Sequence, residues 1–113
     1  MSTLKNSVKL IGNVGQNPEV KTLENGQKVA NFSLATNETY YNKAGEKVTQ
    51  TYWHKLVAWG KTAEIIENYV HKGKEIAIEG KLTNRNYEDK NGQKQYITEV
   101  LVNEVLLLGQ KNV

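Results

Sequence analysis

Cysteine is missing from this 113-residue chain, arginine and proline occur once each, and the only methionine is the first residue. Without cysteine there is neither a disulfide framework nor a thiolate metal site, which suits a reducing compartment. No stretch approaches the ~18 consecutive apolar residues of a membrane span. The N-terminus MSTLKNSVKL also lacks the apolar run of a signal peptide, so a cytoplasmic protein without a membrane partner is expected. His54 and His71 stand far apart and offer no zinc set and no Cys–His pair. The carboxylates Glu64, Glu67, Glu79 and Glu99 read as solvated faces, and WGK at 59–61 has one glycine where a phosphate loop needs several. The expectation is a chain with no catalytic residues, no metal and no cofactor.

The shortage of arginine carries its own message. Of the fifteen cationic residues all but Arg85 are lysines, which disfavours recognition by bidentate guanidinium forks and favours diffuse attraction to phosphates. The net charge of +3 is a mild lean toward polyanions, too small for a purely electrostatic binder. The length supports one domain with a single core.

What is present is concentrated in TYWHKLVAWG, residues 51–60. Strand alternation sorts it into two faces, since residues two apart point the same way. One face carries Trp53, Lys55, Val57 and Trp59; the other carries Tyr52, His54, Leu56 and Ala58. A lysine between two tryptophans is costly to bury without a partner, so the indole face is expected to be wet and the Leu56–Ala58 face to point inward. Two indoles bracketing a cation suit the stacking of bare bases with neutralisation of a phosphate between them. Either indole alone would equally suit a core or an interface.

Along the chain, residues 4–14 alternate with Val8, Leu10 and Val14 on one face. Gly12 and Gly15 are places for a sharp bend, and Pro18 follows where a central strand would not tolerate it. ENGQ at 24–27 predicts an Asn-Gly turn, and residues 28–37 a half-buried strand with Ala30, Phe32 and Leu34 inward. Residues 38–50 read as a flexible basic loop that carries Tyr40 and Tyr41, with Lys43 and Lys47 nearby. The only helical pattern is 61–73, with Ile65, Ile66, Tyr69 and Val70 at helical spacing, a basic last turn at His71 and Lys72, and Gly73 as the stop. EIAIEGKL then buries Ile76, Ile78 and Leu82 and leaves Lys81, Thr83, Arg85 and Tyr87 on the other face. EDKNGQK at 88–94 predicts a hairpin turn, and the last strand slips phase near Asn103, where a bulge is expected. Five extended segments with a helix between the third and fourth suggest an all-β, five-stranded Greek-key barrel of the OB type, although an SH3-like barrel or a small sandwich shares the pattern.

The blocks NSVKLIGNVGQNPEVK, VANFSLATNETY, TYWHKLVAWGKTAEI, VHKGKEIAIEGKL and GQKQYITEV together resemble the bacterial and mitochondrial single-stranded DNA-binding protein family, in order and spacing across residues 6–109. The resemblance implies an OB-fold domain over residues 1–109. It also implies coating of single-stranded DNA in replication, recombination and repair, with a primosomal or RNA-binding relative of the barrel as the alternative. Stacking positions of the family fall on Tyr40, Trp53, Trp59 and Tyr87, and its basic path on Lys55, Lys61, Lys72 and Arg85. Trp59 stands where phenylalanine is common, Tyr40 and Tyr87 where tryptophan is frequent, and Lys55 replaces a frequent arginine. A homotetramer assembled through the first strands (Val8 and Leu10) and a face including His54 is implied as well, in a cytoplasmic, nucleoid-associated setting. Residues 110–113 read as a remnant in place of the family's acidic-tipped tail, which puts tail-mediated recruitment of replication and repair proteins in doubt.

Overall fold

A computed structural model describes residues 5–108. Leu4, the domain end at Gly109 and the 110–113 remnant lie outside the described residues. The elements run β1 (Val8–Val14), β2 (Glu19–Thr22), β3 (Lys28–Tyr41), β4 (Lys47–Trp59), α1 (Gly60–Tyr69), β5 (Glu75–Glu88) and β6 (Lys94–Leu107). The sheet order is β1-β5-β6-β4-β3-β2, and a further pairing of β1 with β3 closes β1, β5, β6, β4 and β3 into a barrel. The expected five-stranded barrel is therefore present, with α1 after its third strand. The short β2 is an addition to the expectation, a hairpin partner laid on β3 from Glu19↔Asn31 to Thr22↔Lys28.

Closure depends on β1 serving two neighbours. It pairs with β5 from Val8↔Gly80 to Asn13↔Glu75, then with β3 at Asn13↔Ala35 and Val14↔Leu34. At the crossing, Gly12 lies so close to the Ala35 carbonyl that a Cβ there would overlap it, so any side chain would force the two strands apart. Inside, Leu34, Leu56, Ile66 and Ile76 are fully buried, and burial contributes about 1.5–3 kcal/mol for each such side chain. The alternation read from the sequence accounts for Ala30, Phe32, Leu34, Leu56, Ala58, Ile76 and Ile78, all of which are in the core.

The helix plugs one end of the barrel through Ala63 and Ile66, with Val70 just beyond, but it is shorter than expected. It ends at Tyr69, Val70 is already extended, and no basic residue lies in its last turn. The chain leaves the helix because the next residues bond elsewhere: Lys72 N–H donates to Asn17 Oδ1 at 2.8 Å and Gly73 N–H to the Val14 carbonyl at 2.8 Å. Ile65 and Tyr69 are exposed, as is Leu82, which shares the core-facing side of β5 but stands beyond the packed interior.

The segment read as a flexible loop is an ordered hairpin. β3 and β4 stay paired without a break out to Tyr41↔Lys47, and β5 and β6 do the same out to Glu88↔Lys94. These two arms stand clear of the core, which is why apolar alternation could not reveal them. Each tip is a three-residue loop closed by a glycine at positive φ, Gly45 at 80° and Gly92 at 78°, while Ala44 and Asn91 keep negative φ. That is a type I turn with a bulge at both tips, and the Asn-Gly turn expected at 88–94 takes this form. One side chain organises each tip: Asn42 Oδ1 accepts from Ala44 N–H and Glu46 N–H, and Asp89 Oδ1 from Asn91 N–H and Gln93 N–H. The expected bulge in β6 is present, since Glu79 pairs Glu104 while Gly80 pairs Val102, leaving Asn103 as the extra residue.

Candidate nucleic-acid interface

On β4 the two faces separate as the alternation requires. Leu56 and Ala58 are buried, whereas Trp53 keeps 63% and Trp59 42% of its surface exposed. Between the indoles, Val57 forms an apolar floor and Lys55 projects from it, with Ser33 and Asn31 opposite them on β3. The floor continues across the barrel because β4 pairs in parallel with β6 at Val57↔Leu101, and Leu101 pairs Lys81 on β5.

These strands form a groove of about 600 Å³ on the outer wall, with Lys55, Val57 and Trp59 on one side and Thr83, Arg85, Glu99 and Leu101 on the other. Lys21 and Glu19 of β2 border it. Its charge is mixed, with Lys21, Lys55 and Arg85 against Glu19 and Glu99. Arg85 donates from Nε to Glu99 Oε1 at 2.9 Å, so the single guanidinium of the chain is oriented by a carboxylate beneath it. Glu99 Oε2 is buried without a partner among the described residues. Glu99 is the residue the sequence reading missed: it was taken for a solvated face, yet its residual exposure is 7%. Its position two residues from Ile97 and two from Leu101, opposite Thr83, was the available signal.

Trp53 extends the surface beyond the groove. Its ring lies over Gly15, where a Cβ would overlap the indole, and Gly15 N–H is tied to the Ser33 carbonyl at 3.0 Å. Tyr87 is exposed and alternates onto the Thr83–Arg85 side of β5. Lys61, exposed on the first turn of α1, is separated from Trp59 by Gly60 alone. Lys72 sits beside the β1–β2 loop through its bond to Asn17. Tyr40 is not on the indole face: unbroken register with β4 puts it with Thr36, Tyr52 and His54. The structure thus brings Lys55, Trp59 and Arg85 into one groove with Trp53, Lys61 and Tyr87 around it, and places Tyr40 and Lys72 apart.

The residues expected at a subunit contact also divide. Val8 and Leu10 are half-buried and pack against the core, while Ile11 between Leu10 and Gly12 faces out. His54 is held by a hydrogen bond of 2.9 Å between its Nε2 and Thr36 Oγ1. Among the described residues no group of three His, Cys, Asp or Glu side chains could hold a metal ion, and no helix is long and apolar enough to cross a membrane.

The profile of the Single-strand binding protein family matches residues 5–108. The chain belongs to this family. It is 43% identical over 108 residues to Single-stranded DNA-binding protein 1 of Chlorobaculum tepidum, a match spanning 95% of this chain and 67% of that protein. Its backbone is similar to that of the Plasmodium falciparum SSB solved in complex with ssDNA, with a TM-score of 0.84 and 34% identity over 92% of this chain and 95% of that one. The similarity in fold accords with the OB architecture expected from the strand pattern.

Proposed function

We propose that the protein binds single-stranded DNA without reading its sequence, and that it coats and protects exposed strands during replication, recombination and repair. The observation that carries this reading is the row Trp53, Lys55, Trp59 on one strand, facing Arg85 across a shallow groove. Flat rings stack any base, and cations set between them meet the phosphates that link stacked bases. Membership of the family and likeness to a protein solved with ssDNA support the same assignment. Trp53, Trp59 and Tyr87 are the stacking residues of this proposal, and Lys55, Lys61 and Arg85 its phosphate contacts. It requires no catalytic step and no cofactor, and it fits a nucleoid-associated protein of the cytoplasm.

Titration of the tryptophan fluorescence with oligo-dT, oligo-rU and duplex DNA tests the reading. Quenching is expected with oligo-dT at much lower concentration than with duplex. Duplex binding that equals or exceeds it overturns the proposal, and preference for oligo-rU moves the assignment to an RNA-binding relative of the barrel.

The reading includes self-association as a homotetramer. β1 pairs with β5 along Val8–Asn13 but with β3 only at Asn13 and Val14, which leaves the other edge of Val8–Ile11 open among the described residues. Beside that edge, Ile11, Ala77 and Leu106 stand in one cross-strand row, and Ile11 and Leu106 are well exposed. An open edge next to an apolar row is the surface a second copy would cover.

A further inference from the structure

Three hairpin loops share one backbone geometry. A main-chain bond joins the first residue to the fifth: Leu23 N–H donates to the Gln27 carbonyl at 2.8 Å, Asn42 N–H to that of Glu46 at 3.0 Å and Asp89 N–H to that of Gln93 at 2.9 Å. The fourth residue is a glycine at positive φ, Gly26 at 85°, Gly45 at 80° and Gly92 at 78°, and its N–H donates to the carbonyl of the first. Before that glycine stands Asn25, Ala44 or Asn91. Two of the loops therefore hold an Asn-Gly pair, and both pairs open the same run, Asn-Gly-Gln-Lys at 25–28 and at 91–94.

The two asparagines are held differently. The β2–β3 loop opens on Leu23, which has no polar side chain, so the acceptor for the fifth residue is Asn25 itself: its Oδ1 takes the Gln27 N–H at 2.9 Å. In the β5–β6 loop Asp89 Oδ1 fills that role, accepting from Gln93 N–H and Asn91 N–H, each at 2.9 Å. Asn91 is thereby left exposed, with no hydrogen bond to its side-chain amide among the described residues. Nothing lies within 4 Å of where a Cβ on Gly92 would stand, so no neighbour crowds that part of the main chain. The Asn91 carboxamide is free to swing onto the Gly92 nitrogen.

We propose that Asn91 is a site of spontaneous deamidation, and that Asn25, in the same local sequence, is protected by its loop. The Gly92 nitrogen gives up its proton and attacks Asn91 Cγ. A bond forms between them, the Cγ–Nδ2 bond breaks, and Nδ2 leaves as ammonia after taking up one proton. Solvent water then opens the cyclic imide: attack at Cγ gives aspartate, and attack at the Asn91 carbonyl carbon gives isoaspartate. At Asn91 the first step has to break one hydrogen bond, from Gly92 N–H to the Asp89 carbonyl at 3.0 Å. At Asn25 it has to break two, from Gly26 N–H to the Leu23 carbonyl at 2.8 Å and from Gln27 N–H to Asn25 Oδ1. Either product adds a negative charge to a chain whose net charge is +3. Isoaspartate also inserts a methylene carbon into the main chain, which ends the spacing that Gly92 closes and loosens the tip of the β5–β6 arm.

The test incubates the folded wild-type protein at mildly alkaline pH, where the Gly92 nitrogen gives up its proton more readily, and follows both sites over time by peptide mass spectrometry, with isoaspartate detected by enzymatic methylation. The peptide containing Asn91 is expected to show the mass change from amide to acid severalfold faster than the peptide containing Asn25. In concentrated guanidinium chloride the two are expected to convert at similar rates, because the same Asn-Gly-Gln-Lys run is then free of its turn at both places. Asn91→Ala is expected to keep the turn, since Ala44 occupies that position in the other arm, and to remove the main acidic species seen on ion exchange while melting stays at the wild-type temperature. Conversion of Asn25 as fast as Asn91 in the folded protein overturns the proposal, as does a difference that persists in denaturant. An acidic species that forms at an unchanged rate in Asn91→Ala overturns it as well.

Discussion

Arg85 and Glu99 meet in the floor of the groove, Nε to Oε1 at 2.9 Å, so that the one guanidinium of the chain faces the ligand already paired with a carboxylate. A charge neutralised in this way attracts phosphate less than a free one. Replacing Glu99 by Gln keeps an acceptor for Arg85 and removes the opposing charge. Binding of oligo-dT by that variant is expected to tighten, with a salt dependence steeper by about 0.7 in log K against log salt, the contribution of one further phosphate. Titrations at four or five salt concentrations measure the slope. Arg85→Ala has the opposite effect, because it removes a cation and strands a buried carboxylate at a cost of about 1–3 kcal/mol in stability.

Trp53 depends on the absence of a side chain at Gly15. The Gly15→Ala change is expected to displace the indole and so to remove part of its stacking, which is worth about 1–3 kcal/mol per base. Melting should move little, because Trp53 is a surface residue. Oligo-dT affinity that stays at the wild-type value would show that the ring finds another equally good position.

Neighbouring residues on β4 are expected to respond in opposite ways. Trp53→Ala and Trp59→Ala should weaken oligo-dT binding by about 5- to 150-fold each while the barrel melts near its usual temperature. Leu56→Ala, between them in sequence but inside the barrel, should cost about 2–5 kcal/mol of stability and leave the affinity of the folded fraction nearly intact. Paired melting and binding curves separate the two classes.

Acid should loosen the β5–β6 arm. The backbone N–H of Gln93, then the Gln95 amide and the N–H of Asn91, hold the Asp89 carboxylate below the usual aspartate value of 3.8. A depressed value means that the charged form is the one the fold favours, so its contribution is complete above about pH 4 and is lost as the pH falls through the lowered value. Asn42 does the corresponding work in the other arm with an amide. Asp89→Asn should therefore keep the turn and flatten the loss of melting temperature between about pH 4 and pH 2, as followed by circular dichroism.

If the Ile11–Ala77–Leu106 row is covered by another copy, Ile11→Glu or Leu106→Lys should shift the mass measured by light scattering toward the monomer at micromolar concentration. His54→Tyr, which removes the partner of Thr36, is expected to loosen assembly as well. A protein that is already monomeric before substitution removes self-association from the functional reading.

The barrel was legible in the sequence wherever one side of a strand is buried. Alternation between core and solvent located Ala30 to Leu34, Leu56 with Ala58, and Ile76 with Ile78, and the slip after Val102 announced the bulge at Asn103. It failed where neither side is buried. The arms from Asn37 to Tyr41 and from Asn84 to Glu88 are polar on both faces and are held by pairing and by Asn42 and Asp89, so they left no apolar period. The helix end was misread because Gly73 serves a turn bonded to Val14 and not the helix itself. At the site, Trp53, Lys55 and Trp59 followed from alternation alone. Glu99 did not, since only the fold shows Arg85 above it, and only the unbroken β3–β4 register shows that Tyr40 lies on the face of Thr36 and His54.

The barrel wall has two thin seams, one at the join of β1 to β3 at Asn13 and Val14 and the other between its hairpins. β3 and β4 are laddered along their whole length, as are β5 and β6, but the two hairpins meet only where Leu56 and Val57 pair with Val100 and Leu101. The groove lies across that seam, with Lys55 and Trp59 on one hairpin and Thr83 and Arg85 on the other. A strand that grips both sides is thus a non-covalent cross-link over one of the two weak joins of the wall. Occupancy should slow hydrogen exchange at the amides of Val57 and Leu101 more than at the arm tips, and the ligand becomes a structural member of the barrel for as long as it stays bound.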